Sequence, residues 1–148
     1  MSLIKKEPQK VNIPLYYMEK KLSNGFNKII ILEDADALKK MEDEKLKKDV
    51  LILNTEWKVL NWKEQNEITK SSTNHGSMGD GSDTYFDFYR YRDSRLKRCL
   101  SSWDLKDDAG TPVMVAPQNI DYLPPEVVLA LLSKFDTLIS ISPDEEKK

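Results

Sequence analysis

Between Arg95 and Leu132 lies the stretch that most constrains what this chain can fold into. Leu96, Cys99, Leu100 and Trp103 recur at helical spacing, then the acidic turn Asp107-Asp108-Ala109-Gly110 interrupts the pattern. A short β-favouring piece over 111–115 follows, Pro117 can open a single helical turn near 118–121, and the chain restarts as a helix behind Pro124 and Pro125. The segment reads as two packed helices joined by a structured turn, with no residue set that resembles a catalytic centre.

The first of these helices is expected over about 84–103. Phe86 and Tyr89 extend the stripe of Leu96, Cys99, Leu100 and Trp103, while Arg90, Ser94, Lys97 and Ser101 occupy the other side. The second is expected over about 124–137. Its prolines sit where backbone N–H groups would lack helical partners anyway, and Glu126 suits the positive end of the helix dipole. Val127, Val128, Leu129, Ala130, Leu131 and Leu132 make it apolar nearly all round. A helix of that kind is sandwiched in a core or covers a partner.

Upstream, residues 1–12 are polar, Lys-rich and interrupted by Pro8, and are expected to form an arm. Two β-capable runs, 13–18 and 26–32, flank Ser23-Asn24-Gly25, where Asn-Gly supplies the positive φ of a tight hairpin. Glu19-Lys20-Lys21 would give such a hairpin an exposed, charged end. A polar helix is expected over about 34–48, with Ala37, Leu38, Met41 and Leu46 as its thin apolar stripe. Residues 50–60 alternate like a strand, with Thr55, Trp57 and Val59 against Glu56, Lys58 and Leu60. Asn61 with Glu64 forms a capping-box pattern for a helix to about 71. From 71 to 83 the chain is nearly devoid of apolar atoms and reads as a surface loop.

At 148 residues the chain fits one domain: an arm over 1–12, a globular part over 13–140 in which 13–50 is appended to a helical body over 51–140, and a charged tail over 141–148. The fold expected is α+β but mainly helical, with a short N-terminal hairpin and three to four helices. A net charge of −2 gives no bulk attraction for nucleic acid or anionic membrane. The longest apolar runs, 127–132 and 29–32, fall far short of the ~20 residues that span a bilayer. Lys5 and Lys6 precede Glu7, Pro8 and Gln9 rather than the apolar run of a signal peptide. With Cys99 alone there is no internal disulfide, which suits a reducing compartment.

Chemistry finds little to hold. His75 is the single histidine, and with one cysteine a zinc finger is excluded. An EF-hand starting at Asp104 would place Lys106 at the third ligand, Ala109 at the required glycine and Val115 at the closing glutamate, so that reading fails. Gly76, Gly79 and Gly81 lack the Gly-Lys-Ser/Thr ending of a phosphate loop. Cys99 on the apolar stripe reads as a buried, inert thiol. No catalytic residue, metal or cofactor is expected. Aromatic and basic residues do interleave from Tyr89 to Arg98, the pattern of a base-stacking surface, but Asp87 and Asp93 offset the cations and scatter breaks the ridge. A nucleic-acid-binding helix there is the third-ranked reading, and an enzyme built around His75 the fourth.

One resemblance stands beside this. Trp62-Lys63-Glu64-Gln65-Asn66-Glu67, then Arg95-Leu96, Leu100, Trp103-Asp104-Leu105, Asp107-Asp108, Gly110, Pro112-Val113, Pro117, Ile120-Asp121, Leu123-Pro124 and Val128, resembles the tail assembly chaperones of long-tailed bacteriophages over roughly residues 55–135. The resemblance implies a holdase that coats the apolar tape-measure protein and recruits tail-tube subunits in the cytoplasm of the infected host. It implies protein contact, with homo-oligomer formation open, and no enzyme activity. Trp57, Trp62, Leu129, Leu132 and Phe135 are then the candidate partner-binding residues, with the outward side of the last helix expected to offer Leu129, Leu132 or Phe135. The runner-up is a structural virion protein of head, neck or tail.

Overall fold

A computed structural model of the chain describes residues 3–4, 6–32, 49–74 and 84–140. The expected helix over 34–48, the loop around His75 and the tail over 141–148 lie outside the described residues. The elements are β1 (Lys10–Lys21), β2 (Asn27–Leu32), β3 (Leu51–Lys58), α1 (Trp62–Ser71), β4 (Thr73–Asn74), β5 (Tyr85–Phe86), α2 (Phe88–Cys99), β6 (Leu100–Trp103), α3 (Pro117–Ile120) and α4 (Pro125–Ile139). Strands β2-β1-β3-β6 form one antiparallel sheet, and β4 and β5 a second, two-stranded ladder. The fold is α+β as expected. It is not mainly helical, because strand and helix are present in comparable amounts among the described residues.

The hairpin accounts for much of the excess strand. Leu22 N–H donates to the Phe26 carbonyl (2.8 Å), Gly25 N–H donates to the Leu22 carbonyl (2.9 Å), and Gly25 takes φ +86°. This is a three-residue loop with glycine in the left-handed region, where a Cβ would be strained. β1 begins inside the expected arm and runs through Glu19-Lys20-Lys21, which pair with Ile29, Lys28 and Asn27. Those charged side chains are exposed, and ladder bonds need no apolar side chain where solvent wets the strand.

Pro14 sits inside a central strand, a position proline seldom tolerates. The stagger of the neighbours explains it. β2 pairs with β1 only from Tyr16 onward, while β3 pairs over Lys10 to Tyr17. The Leu22–Phe26 bond makes 22/26 a hydrogen-bonded pair, so even-numbered β1 residues turn their polar backbone toward the β2 side. Among the described residues no strand pairs with Pro14 on that side, and the missing N–H costs none of the described ladder bonds.

Ile13 and Leu15 from β1 and Leu53, Thr55 and Trp57 from β3 are buried on one face of the sheet. They join Leu96 and Cys99 of α2, Ile120 of α3, and Val127, Leu131, Leu132 and Phe135 of α4 in one core. Trp57 and Phe135 stack with ring centroids 4.9 Å apart at 24°. Trp57 Nε1–H donates to Thr55 Oγ1, and Thr55 Oγ1–H donates to the Ile13 carbonyl, each at 2.7 Å. The one buried indole and the one buried threonine therefore satisfy each other and the backbone.

The helix expected over 84–103 is shorter at both ends. Asp87 caps it by accepting from Arg90 N–H (3.1 Å), which leaves Phe86 to pair with Thr73 across β4 and β5. Ser71 to Asn74, expected as loop, thus close α1 and form β4. At the other end Leu100 turns extended (φ −69°, ψ 108°), and Leu100–Trp103 pairs with the open edge of β3. Ser101 and Ser102 are weak helix formers, and the β3 backbone offers them hydrogen bonds that a helix end could not. Asp104 ties the corner down, its carboxylate accepting from Asn54 N–H and Asn54 Nδ2 at 2.8 Å each.

The turn that follows is structural. Asp107 Oδ1 accepts from Ala109 N–H and Thr111 N–H at 2.9 Å, and Gly110 has φ +80°. Lys106 and Pro112 form an isolated bridge behind it. Asn61 and Glu64 make the capping box expected at α1, with Glu64 N–H 2.9 Å from Asn61 Oδ1.

Candidate protein-interaction surface

The five residues singled out from the sequence do not converge. Trp57, Leu132 and Phe135 are 0%, 5% and 1% exposed, so they cannot meet a partner in this conformation. The expectation that Leu132 and Phe135 lie on the outward side of α4 is therefore corrected: both are buried, Phe135 against Trp57 of the sheet and Leu132 at the base of the seam with α2. Leu129 is 49% exposed and remains available, as does Trp62 at 78%. Trp62 opens α1 just after its Asn61 cap and is not among the residues that share a groove with Leu129.

That groove, about 390 Å³, runs between α2 and α4. Phe88, Tyr91 and Arg92 form its α2 wall; Leu129, Ser133 and Thr137, one helical turn apart in succession, form the α4 wall. Phe88 is 59% exposed. Its ring centroid lies 6.5 Å from that of Tyr89, and Phe86 lies 5.2 Å from Tyr91. Phe86, Phe88 and Tyr89 thus continue the apolar rim past the groove, and none of the three was singled out as partner-binding from the sequence. Phe86 and Tyr89 were assigned to the buried stripe. The stripe closes on the core only from Leu96 onward, and the Asp87 cap, a helix-start residue four places before Tyr91, was the signal that Phe86 lies outside the helix.

The groove floor is electrostatically braced. Arg95 forms an ion pair with Asp136 of α4 and places its guanidinium 5.1 Å from the Phe135 ring centroid. Phe135 is therefore held between Trp57 on one side and Arg95 on the other. Arg92 lies 5.5 Å from the Tyr89 ring centroid. The rest of the basic run is spoken for. Lys97 bridges Asp93 (3.1 Å) and Asp121 (2.7 Å), Arg98 pairs with Glu67, and Arg90 donates to the Ser71 carbonyl (3.3 Å). Asp121, then Asp93, holds the Lys97 ammonium above its ordinary pKa.

A second groove, about 490 Å³, lies beneath Pro8 and Gln9 against α1 and α2. Its charges are mutually engaged: Glu64 pairs with Lys58 and lies 3.8 Å from Arg98. The Lys58 contact chiefly holds the Glu64 carboxyl below its usual range. Cys99 is fully buried, and burial pushes its thiol up to about 11, so the sulfur is protonated at neutral pH. Among the described residues no three His, Cys, Asp or Glu side chains come together as metal ligands, and no helix is long and apolar enough to cross a membrane. His75 lies outside the described residues. No family model, curated protein or solved structure matches the chain.

Proposed function

We propose that this chain acts by protein–protein contact, as a tail assembly chaperone of a long-tailed bacteriophage, and holds an apolar segment of the tape-measure or tail-tube protein at the α2/α4 groove. The observation that carries the reading is exposed Phe88 and Leu129 on the two walls of that groove, with exposed Phe86 beside Tyr91 and exposed Tyr89 beside Phe88. Exposed apolar patches of this kind mark interaction sites, and aromatic anchors beside a pocket carry most of the energy in such contacts. The charged body suits a protein that must stay soluble while presenting an apolar surface. The residues behind the resemblance, including Asp104, Asp107, Gly110 and Ile120, hold the corner and turn on which α4 is placed. The competing nucleic-acid reading loses its cations: Arg95, Lys97 and Arg98 already face carboxylates.

The test is co-expression with the tape-measure and tail-tube proteins of the same phage. Phe88→Asp and Leu129→Asp put a charge where contact must desolvate it, and co-purification is expected to fall roughly tenfold or more while circular dichroism is unchanged. Undiminished capture by both folded variants would remove the groove as the binding surface. Recovery of the chain at full stoichiometry in purified particles would replace the chaperone by a structural virion protein.

A further inference from the structure

Among the described residues, β2 and β6 are the edges of the main sheet, and the two are built differently. At one edge, β6 is four residues long, is bulged at Ser101 opposite the Glu56–Trp57 step, and uses that residue's hydroxyl, Ser101 Oγ, to donate to the Glu56 carbonyl (3.0 Å). Short length and a bulge are standard protections against further strand pairing. At the other edge, β2 reads Asn27-Lys28-Ile29-Ile30-Ile31-Leu32, with no proline, no bulge and one charge. Among the described residues no strand lies beyond it.

Its backbone can be assigned side by side. The Leu22 N–H to Phe26 carbonyl bond fixes 22/26 as a hydrogen-bonded pair, and alternation along an antiparallel ladder makes 20/28, 18/30 and 16/32 the next ones. Lys28, Ile30 and Leu32 therefore spend their N–H and C=O groups on β1. Asn27, Ile29 and Ile31 direct theirs outward, away from the sheet. The side chains divide by the same parity. Ile29 and Ile31 pack on the core side, and Ile30 and Leu32 lie on the opposite face, all of them half-buried. An added strand would find unbonded backbone at its centre and apolar side chains above and below.

We propose that β2 is a self-association edge, and that its occupant is β2 of a second copy of this chain, paired antiparallel about a two-fold axis. The sequence is self-complementary in that arrangement. With Ile29 opposite Ile29 of the second copy, Asn27 meets Ile31 and Ile31 meets Asn27, each pair exchanging both N–H···O=C bonds. Lys28 then faces Ile30 of the other copy rather than a second lysine. The product is one continuous sheet through both copies, and the contact is separate from the α2/α4 groove, so each copy keeps its groove free.

Sedimentation velocity on the full chain, with amide hydrogen exchange read by NMR, tests this. A two-chain mass is expected at high concentration, falling to one chain in Ile29→Pro, which deletes an outward N–H and leaves the β1 ladder intact. In the dimer the Asn27, Ile29 and Ile31 amides exchange slowly; on dilution they become fast, while Lys28, Ile30 and Leu32 stay slow. A chain that is monomeric at its highest soluble concentration overturns the proposal. So does a dimer that survives in folded Ile29→Pro, or one in which those three amides remain fast. If Ile29→Pro fails to fold, the odd–even exchange pattern of the unaltered chain decides alone.

Discussion

Trp57 and Phe135 stack beneath α4 with almost no surface exposed, whereas Phe88 and Tyr89, on the neighbouring helix, leave most of their rings in solvent. The residue types are similar, and the surroundings differ. The core pair sits where three elements meet, and every polar atom it carries or adjoins has a partner: the indole N–H reaches Thr55, and Thr55 reaches the backbone. The rim pair stands on the first turn of α2, before that helix closes on the sheet at Leu96 and Cys99. Aromatic content alone thus says nothing about burial. What decides it is whether other elements arrive on the same side.

The sharpest way to break the comparison is to empty the core side of it. Trp57→Ala removes a stacked, fully buried ring and leaves Thr55 Oγ1 without its donor, so a loss of about 3–5 kcal/mol is expected. Against a total stability of about 5–15 kcal/mol this brings the chain near unfolding at ambient temperature. Phe135→Asp removes the stacked ring and buries a carboxylate beside Arg95, whose charge Asp136 already meets, and is expected to abolish the cooperative transition. Thermal and urea unfolding followed by circular dichroism check both. A native-like melting temperature in either variant would mean that the stack is not part of the folded core.

How far the sequence could lead to this arrangement depends on whether the deciding contact was local. Asn24-Gly25 and the Asn61/Glu64 box act within a few residues, and both were legible. So were the strand alternation through Thr55 and Trp57 and the proline-started α4, but not the burial of Trp57, which was assigned to a partner surface. Leu100–Trp103 was misread as helix because its apolar spacing continues that of Leu96. Its strand form depends on the open edge of β3, about forty-five residues away in sequence, as in the Ser101–Glu56 contact. The inward direction of Leu132 and Phe135 was hidden for a similar reason. A helix apolar on nearly every side does not declare which side meets the sheet, and so two of the five candidate residues were placed on the wrong face.

Trp103 lies between the two extremes and grades the comparison. Its ring is half-buried in β6, and its Nε1–H donates to the Val113 carbonyl at 2.6 Å, holding the segment after the Asp107–Gly110 turn against the sheet. Trp103→Phe keeps an aromatic ring and deletes that one bond. A loss of about 1 kcal/mol is expected, the usual net worth of a single hydrogen bond. In urea this reads as a lower midpoint with an unchanged slope. An effect as large as that of Trp57→Ala would place Trp103 with the core pair and shift the boundary between the two regions.

The smallest effect belongs to the rim. Tyr89 is 74% exposed and Phe88 59%, so truncating either removes few internal contacts. Among the described residues their ring partners are each other at 6.5 Å and, for Tyr89, the Arg92 guanidinium at 5.5 Å, and exposed pairs of that kind are worth about 0.5–1 kcal/mol at most. Phe88→Ser and Tyr89→Ser are therefore each expected to shift stability by no more than about that amount, with solubility unchanged or improved as the apolar patch shrinks. Thermal melts at matched concentration give the comparison its cleanest form: the same class of residue, truncated on two sides of one helix pair, with effects several kcal/mol apart. A loss of more than about 2 kcal/mol at Phe88 would show that the rim is packed in solution, and the groove would then be a closed seam between α2 and α4 rather than a surface open to a partner.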